Sequence, residues 1–333
     1  MIKGKEIYKM DMLKAIGILL VGFVLLIKGA DFFVEGSSAV AKKLRIPSII
    51  VGLTIVAMGT SMPELAVSVT AALAGNNEIA VSNVVGSNVF NLMVVCGACA
   101  LFAPLAINKS TLKSDFPLSI GCAVLLLVMG VIGMEVGRID GVILLVIFIT
   151  YIAILVRQAL KARATNKVEK EASQEGGKDI PVWLCIIYIV GGIAAIKFGG
   201  DFVVDGASTI ADKLGMSQTL IGLTVVAVGT SLPELVTSIV ASRKNEVDMA
   251  LGNVIGSNIF NILLILGTAG AITPMAFIKD NIVDIIVLIA VSLLVYVFAW
   301  TKQKLEKKEG IIMLLIYFAY MVYACIRGMG GIA

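Results

Sequence analysis

VGLTIVAMGTSMPELAVSVT, from Val51 to Thr70, returns with few changes as IGLTVVAVGTSLPELVTSIV, from Ile221 to Val240. Glu64 and Glu234 occupy the same place in the two stretches, so the register is 234 − 64 = 170 residues. The same shift carries SNVVGSNVFNLMVVCG (Ser82 to Gly97) onto GNVIGSNIFNILLILG (Gly252 to Gly267). It also carries Asp31 onto Asp201, Glu35 onto Asp205 and Pro104 onto Pro274. One register held from Asp31 to Pro104 marks a duplicated fold unit.

What surrounds the repeat sets the class. Hydrophobic residues make up 59% of the 333 and charged residues 15%, where a soluble domain carries about a quarter charged. Apolar runs of about twenty residues, each long enough to cross a hydrocarbon core as a helix, recur along the chain. The expected spans are 12–41, 46–73, 79–104, 116–134, 139–157, 182–211, 216–241, 248–273, 282–300 and 311–326. The fold class is therefore an all-α polytopic membrane protein with ten transmembrane helices. The first run is too long for a signal peptide and is read as a retained helix.

The polar stretch from Lys161 to Asp179 divides the chain, giving a first five-helix repeat over 12–158, a linker over 159–181 and a second repeat over 182–327. Five is odd, so the second unit sits upside down relative to the first, as in many secondary transporters. Basic residues number seventeen on the side of the linker and eight on the amino-terminal side. By the positive-inside rule the linker is cytoplasmic and both termini lie outside, although the lysine-rich amino terminus argues locally the other way.

The chain contains no histidine, which removes HExxH metalloprotease chemistry, Ser-His catalysis and histidine proton relays. Cys96 and Cys99 form a single C-x-x-C without the second pair that a zinc site needs. They read, with Cys122, Cys185 and Cys325, as small apolar side chains.

Chemistry concentrates in the repeated motifs. An ionised carboxylate deep in an apolar helix is costly and is retained for an ion pathway or a buried partner; Lys28 and Lys197 are the candidate partners. Thr60 and Ser61 precede Glu64 by four and three residues and share its helical face. Pro63 has no amide hydrogen, so the Gly59 carbonyl loses its helical donor and the helix should break there. Irregular backbone in mid-membrane lines a cavity or is buried in protein. Carboxylate, hydroxyl and carbonyl are the hard oxygen donors that Ca²⁺ and Na⁺ take. Thr230, Ser231, Pro233 and Glu234 repeat the arrangement.

In the second motif Ser87 and Asn91 lie four apart on one face, as do Ser257 and Asn261. These four add oxygens to the cage, or else form a polar packing seam. Ser82 and Gly86, and Gly252 and Gly256, have the spacing that lets two helices approach closely.

With G-T-S-x-P-E and S/G-N-x-x-G-S-x-x-x-N each present twice, the chain resembles a compact, prokaryotic-type sodium/calcium exchanger of the cation/calcium antiporter superfamily. The resemblance covers nearly the whole chain. It implies ten helices, alternating access and four adjacent cation positions between the broken helices. The ligands it implies are the carbonyls of Ala57 and Ala227 and the hydroxyls of Thr60, Thr230, Ser61 and Ser231. The carboxylates of Glu64 and Glu234, the hydroxyls of Ser87 and Ser257 and the amides of Asn91 and Asn261 complete the set.

In the family, helices 1 and 6 slide as the gate. Asp31, Glu35, Asp201 and Asp205 lie on them, facing the pathway or marking helix ends. Asn261 stands where several members, including potassium-dependent ones, carry Asp, so the inferred cage holds only two acids. The linker is too short for the calcium-sensing domains of animal exchangers.

The expected function is secondary antiport of Ca²⁺ against Na⁺ in the cell membrane, with lipid as the surroundings. No cofactor, enzymatic activity, nucleic acid or protein partner is required. A Ca²⁺/H⁺ antiporter using the same two glutamates is the alternative, and H⁺ would then be the counter-ion. A cation channel and an intramembrane aspartyl protease built on Asp31 and Asp201 are the more distant readings.

Overall fold

A computed structural model describes residues 2–74, 77–164, 180–216, 225 and 227–328. Within them run α1 (Ile2–Leu44), α2 (Ser48–Thr60), α3 (Met62–Leu73), α4 (Ala80–Phe102), α5 (Lys109–Val131) and α6 (Arg138–Ala164). The second half gives α7 (Val182–Lys213), α8 (Leu232–Arg243), α9 (Val247–Ile272), α10 (Lys279–Lys302) and α11 (Lys307–Gly328). Among the described residues eight helices are long and apolar enough to cross a membrane, and the pair α2–α3, bent by 49°, makes a ninth. The expected span 216–241 and the linker 159–181 lie partly outside the described residues. Where the linker is described, α6 continues to Ala164, past the expected boundary at 158.

Large apolar side chains lie exposed on the surface, and the interior encloses a polar set within its apolar packing. Ile139, Ile149, Phe318 and Val190 are exposed, while Asn91, Asn253, Asn261, Glu64 and Glu234 are fully buried. This is the distribution expected when lipid, not water, surrounds the helices.

Inversion of the repeats is visible in how α1 meets its counterpart α7. A Cβ at Gly22 would lie 2.8 Å from the Val203 nitrogen, one at Gly29 2.8 Å from the Ile196 nitrogen, and one at Gly36 3.0 Å from the Cys185 oxygen. As numbers rise along α1 they fall along α7, so the two equivalent helices run antiparallel, backbone against backbone. Only glycine permits that approach.

Two short antiparallel ladders cross the repeats in the same reciprocal way. Leu105–Ala106 (β1) pairs with Lys304–Leu305 (β4), and Glu135–Val136 (β2) pairs with Met275–Ala276 (β3). Thus the connection after α4 pairs with the one after α10, and the connection after α5 with the one after α9.

Apolar packing falls into two main bodies. One gathers α4, α5, α6, α9 and α10 from both repeats, and the other gathers α1 and α7 with parts of α2, α8 and α9. The polar interior lies between them. There α2 and α9 touch through Gly52 and Gly252, whose added Cβ atoms would lie 2.6 Å from the Met249 oxygen and 2.7 Å from the Ile49 oxygen. Gly256 is equally crowded, at 2.8 Å from the Ala57 Cβ, as its spacing foretold. Gly86 meets nothing within 4 Å among the described residues.

Candidate functional site

Pro63 and Pro233 start the helices α3 and α8, as the missing amide hydrogen requires. Ser61 and Ser231 sit at the breaks just before them, with ψ of 9° and 5° in place of helical values. Each glutamate follows its proline and is buried in the first turn of the restarted helix. Because the repeats are inverted, each break faces the other. Ser61 donates to Glu234 Oε1 at 2.9 Å and Ser231 donates to Glu64 Oε1 at 3.2 Å. Ser87 supplies a longer bond to Glu64 Oε1, 3.4 Å, and lies 3.0 Å from the Ser231 hydroxyl. Among the described residues neither glutamate pairs with a lysine; Lys197 pairs with Asp201 at 2.7 Å instead.

Backbone geometry around the breaks differs between the halves. The Ser61 amide donates to the Ala57 carbonyl at 3.1 Å, and the Thr60 hydroxyl lies 3.3 Å from the same oxygen. The Ser231 amide donates to Val228, one residue later than the equivalent of Ala57, at 3.2 Å. The turn before Pro233 is therefore tighter than the one before Pro63. Among the described residues π-helical turns over Gly52–Val56, Asn91–Val95 and Asn261–Leu266 adjoin the site. Two of them begin at the asparagines expected to bind cations, and such wide turns recur at functional sites.

A ring of asparagines joins the repeats, adding Asn83, Asn88, Asn253 and Asn258 to the expected Asn91 and Asn261. Asn88 donates to the Asn258 carbonyl at 3.1 Å and Asn258 donates to the Asn88 carbonyl at 3.3 Å. Asn261 donates to Asn88 Oδ1 at 2.9 Å, and Asn91 donates to Asn258 Oδ1 at 3.2 Å. Asn83 and Asn253 reach the serines one turn beyond the glutamates, Ser68 at 3.1 Å and Ser238 at 2.9 Å. Thr60 lies 3.0 Å from Asn253 Oδ1. The available signal was the recurrence of each of these asparagines and serines at the 170-residue register.

These bonds orient the amides. Asn91 and Asn261 spend their N–H groups on the opposite repeat, which leaves both Oδ1 atoms as unmatched acceptors. Among the described residues six buried oxygens of the expected ligand residues have no hydrogen-bond partner: Glu64 Oε2, Glu234 Oε2, Asn91 Oδ1, Asn261 Oδ1, Thr230 Oγ1 and Ser257 Oγ. Buried polar atoms are nearly always satisfied, so an orphaned set this dense calls for a further partner such as an ion. The donor chemistry suits a hard cation. No group of three or more His, Cys, Asp or Glu side chains fit to hold a metal occurs among the described residues.

The four peripheral acids do not join this cluster. Lys244 holds Asp31 at 2.6 Å and Glu35 at 3.6 Å, Asp201 takes Lys197, and Asp205 is exposed. The glycine contacts between α1 and α7 place Asp31 opposite the stretch near Gly192, nine residues from Asp201. That is about 13 Å along the helix, too far for two acids to share a proton as a protease dyad must.

Removing the asparagine bridge should destabilise the whole bundle. Asn88→Ala or Asn258→Ala deletes a donor and strands buried partners on the other repeat, at a cost of about 1–3 kcal/mol. Thermal unfolding in detergent should show a lowered midpoint for each. The double variant should lose less than the two losses added, because the residues bond each other.

Inverted repeats meeting at two broken helices, with hard oxygens sealed inside a lipid-facing bundle, define a polytopic secondary transporter for cations. The chain belongs to the sodium/calcium exchanger protein family, whose model matches residues 14–157 and 184–326. It is a transporter of the antiporter type and not an enzyme. It is 40% identical to CaxA of Alkalimonas amylolytica, over 93% of this chain and 98% of that protein. It is 35% identical to the sodium/calcium exchanger MaX1 of Methanosarcina acetivorans, over 92% of this chain and 97% of that one. The solved structure of the sodium-calcium exchanger NCX_Mj soaked with 10 mM Na⁺ and 10 mM Sr²⁺ superposes with a TM-score of 0.79 and 33% identity. That match covers 93% of this chain and 98% of the solved one.

Proposed function

We propose that the chain exchanges Ca²⁺ for Na⁺ by alternating access, at one cage formed by Glu64, Glu234 and their hydroxyl, amide and carbonyl neighbours. The observation that carries this reading is the set of six orphaned buried oxygens, every one on a residue of the two repeated motifs. The two carboxylates neutralise one Ca²⁺. Several Na⁺ ions fit the same set, because the neutral oxygens of Thr60, Thr230, Ser87, Ser257, Asn91 and Asn261 suit a monovalent hard cation. A proton needs only the carboxylates and leaves those neutral oxygens without a role, which favours sodium over H⁺ as the counter-ion.

The ladders support ten crossings. β1 and β4 meet on one face, so an even number of spans separates them. α5, α6, α7, α9 and α10 supply five, and the sixth is the span to which α8 belongs. The linker is then cytoplasmic and both termini are outside, in keeping with the basic residues gathered on the linker side.

In reconstituted vesicles, radiolabelled calcium uptake should rise steeply under an outward Na⁺ gradient and stay near background under a pH gradient without Na⁺. Uptake driven equally by the pH gradient alone would replace this reading with Ca²⁺/H⁺ antiport.

A further inference from the structure

The helix α8 carries a second line of buried oxygens away from the cage. Glu234, Ser238 and Ser242 follow one another at intervals of four residues, on one face of the helix, and all are buried. Four residues further along the chain, just past the helix end, comes Glu246, 5% exposed. Thr237 adds a buried hydroxyl beside the line. In the first repeat the equivalents of Ser242 and Glu246 are Ala72 and Asn76, so the line belongs to one half only.

Glu246 stands where an apolar side chain is normal. The chain leaves α8 through a left-handed Asn245, φ 63°, with the Asn245 amide bonded to the Ser242 carbonyl and the Glu246 amide to the Ala241 carbonyl. This is a Schellman ending, in which the last residue usually makes a hydrophobic contact with the helix. Two other helices end the same way. After α1 the Ile46 amide bonds to Ala41 behind a left-handed Arg45, and after α7 the Met216 amide bonds to Ala211 behind Gly215. Those two endings carry Ile46 and Met216 at this position; this one carries a carboxylate.

The carboxylate does not cap its own helix α9. Ser38 of α1 donates to Glu246 Oε1, while Glu246 Oε2, Ser242 Oγ and Thr237 Oγ1 have no partner among the described residues. Among the described residues no ion pair to a basic group is seen for it. Lys244, the nearest lysine in the chain, is spent on Asp31 and Glu35.

We infer that Glu246, with Ser242 and Ser38, forms a second cation site, a relay for Na⁺ at the end of α8, joined to the cage by the hydroxyls of Thr237 and Ser238. A single carboxylate among hydroxyls balances a monovalent hard cation and leaves a divalent one half-neutralised, so Na⁺ is the ion assigned. From Glu234 to Ser242 the helix rises about 12 Å, a distance that the intervening hydroxyls bridge in single-turn steps. The relay role rests on the cage proposed above; the site at Glu246 does not.

Equilibrium binding of radiolabelled Na⁺ to the purified full-length protein separates the two. In the Glu64→Gln/Glu234→Gln variant most Na⁺ binding should vanish and about one Na⁺ per chain should remain. Adding Glu246→Gln should remove that remainder at least tenfold. Equal binding in the double and triple variants overturns the second site. If the double variant binds as much Na⁺ as the parent while the triple variant binds less, the cage is wrong and the second site stands. Residual binding that Ca²⁺ occupies in preference to Na⁺ overturns the monovalent assignment.

A kinetic reading needs no cage variant. Ser242→Ala, which copies Ala72 of the first repeat, should raise the half-saturating Na⁺ concentration for exchange severalfold on one membrane face only. An unchanged value on both faces, or an equal change on both, contradicts the relay.

Discussion

Replacing either Glu64 or Glu234 by glutamine should abolish sodium-driven calcium uptake, and both replacements should be about equally severe. Glutamine keeps the shape, and its side-chain oxygen can still accept from Ser231 or Ser61. What it removes is one of the two negative charges facing a divalent ion in a site sealed from water. Stripping one partner from a buried charge pair costs about 3–5 kcal/mol, which is a hundredfold or more in calcium affinity. Near-equal effects follow from the reciprocal bonds, since each glutamate is served by the serine of the other repeat. Calcium binding to purified protein, measured beside flux, shows whether the loss is one of affinity. Normal uptake in either variant would remove the site from these glutamates.

Asn261→Asp should produce the second large effect, and its sign depends on the ions present. Asn261 now donates to Asn88 Oδ1 at 2.9 Å. An ionised aspartate has no hydrogen to give and sets two acceptors against each other inside the bundle. Rotating the Asn88 amide would repair that contact only by breaking the bond to the Asn258 carbonyl. Without cations the variant should unfold at a lower temperature, by about 1–3 kcal/mol of lost stability. With Ca²⁺ present the third carboxylate gains a counter-charge, so the stabilisation by Ca²⁺ should exceed that of the parent. A midpoint indifferent to Ca²⁺ would place Asn261 outside the cage and leave it as a packing residue.

The part of this site legible in the sequence is the part determined by local rules. Pro63 and Pro233 break their helices because a missing amide hydrogen does so in any context. Thr60, Ser61 and Glu64 share a face because three- and four-residue spacing puts them there. Gly252 and Gly256 mark a close helix contact, and the glycines do lie against Ile49, Leu53 and Ala57.

What local rules do not give is which residues of one repeat meet which of the other. The Asn88–Asn258 bridge, the donation from Asn261 to Asn88 and the serines reached by Asn83 and Asn253 depend on how two inverted units dock. All of these residues lie inside or beside the quoted motifs. Their roles emerge only once the helices are placed. The same holds for the ladders, two-residue strands too short to leave a pattern of their own, and for Glu246, whose burial depends on a Schellman turn folding it back under α1. The carboxylates on α1 and α7 show the converse: their sequence spacing allows a facing pair, and the antiparallel seam separates them.

One equilibrium measurement bears most directly on the claim that Ca²⁺ and Na⁺ share a single cage. Calcium binding to the purified protein should weaken as Na⁺ is raised, more steeply than in proportion to the Na⁺ concentration, with the number of calcium sites constant at one per chain. Calcium affinity that does not move with Na⁺ would mean separate sites, and would contradict the account.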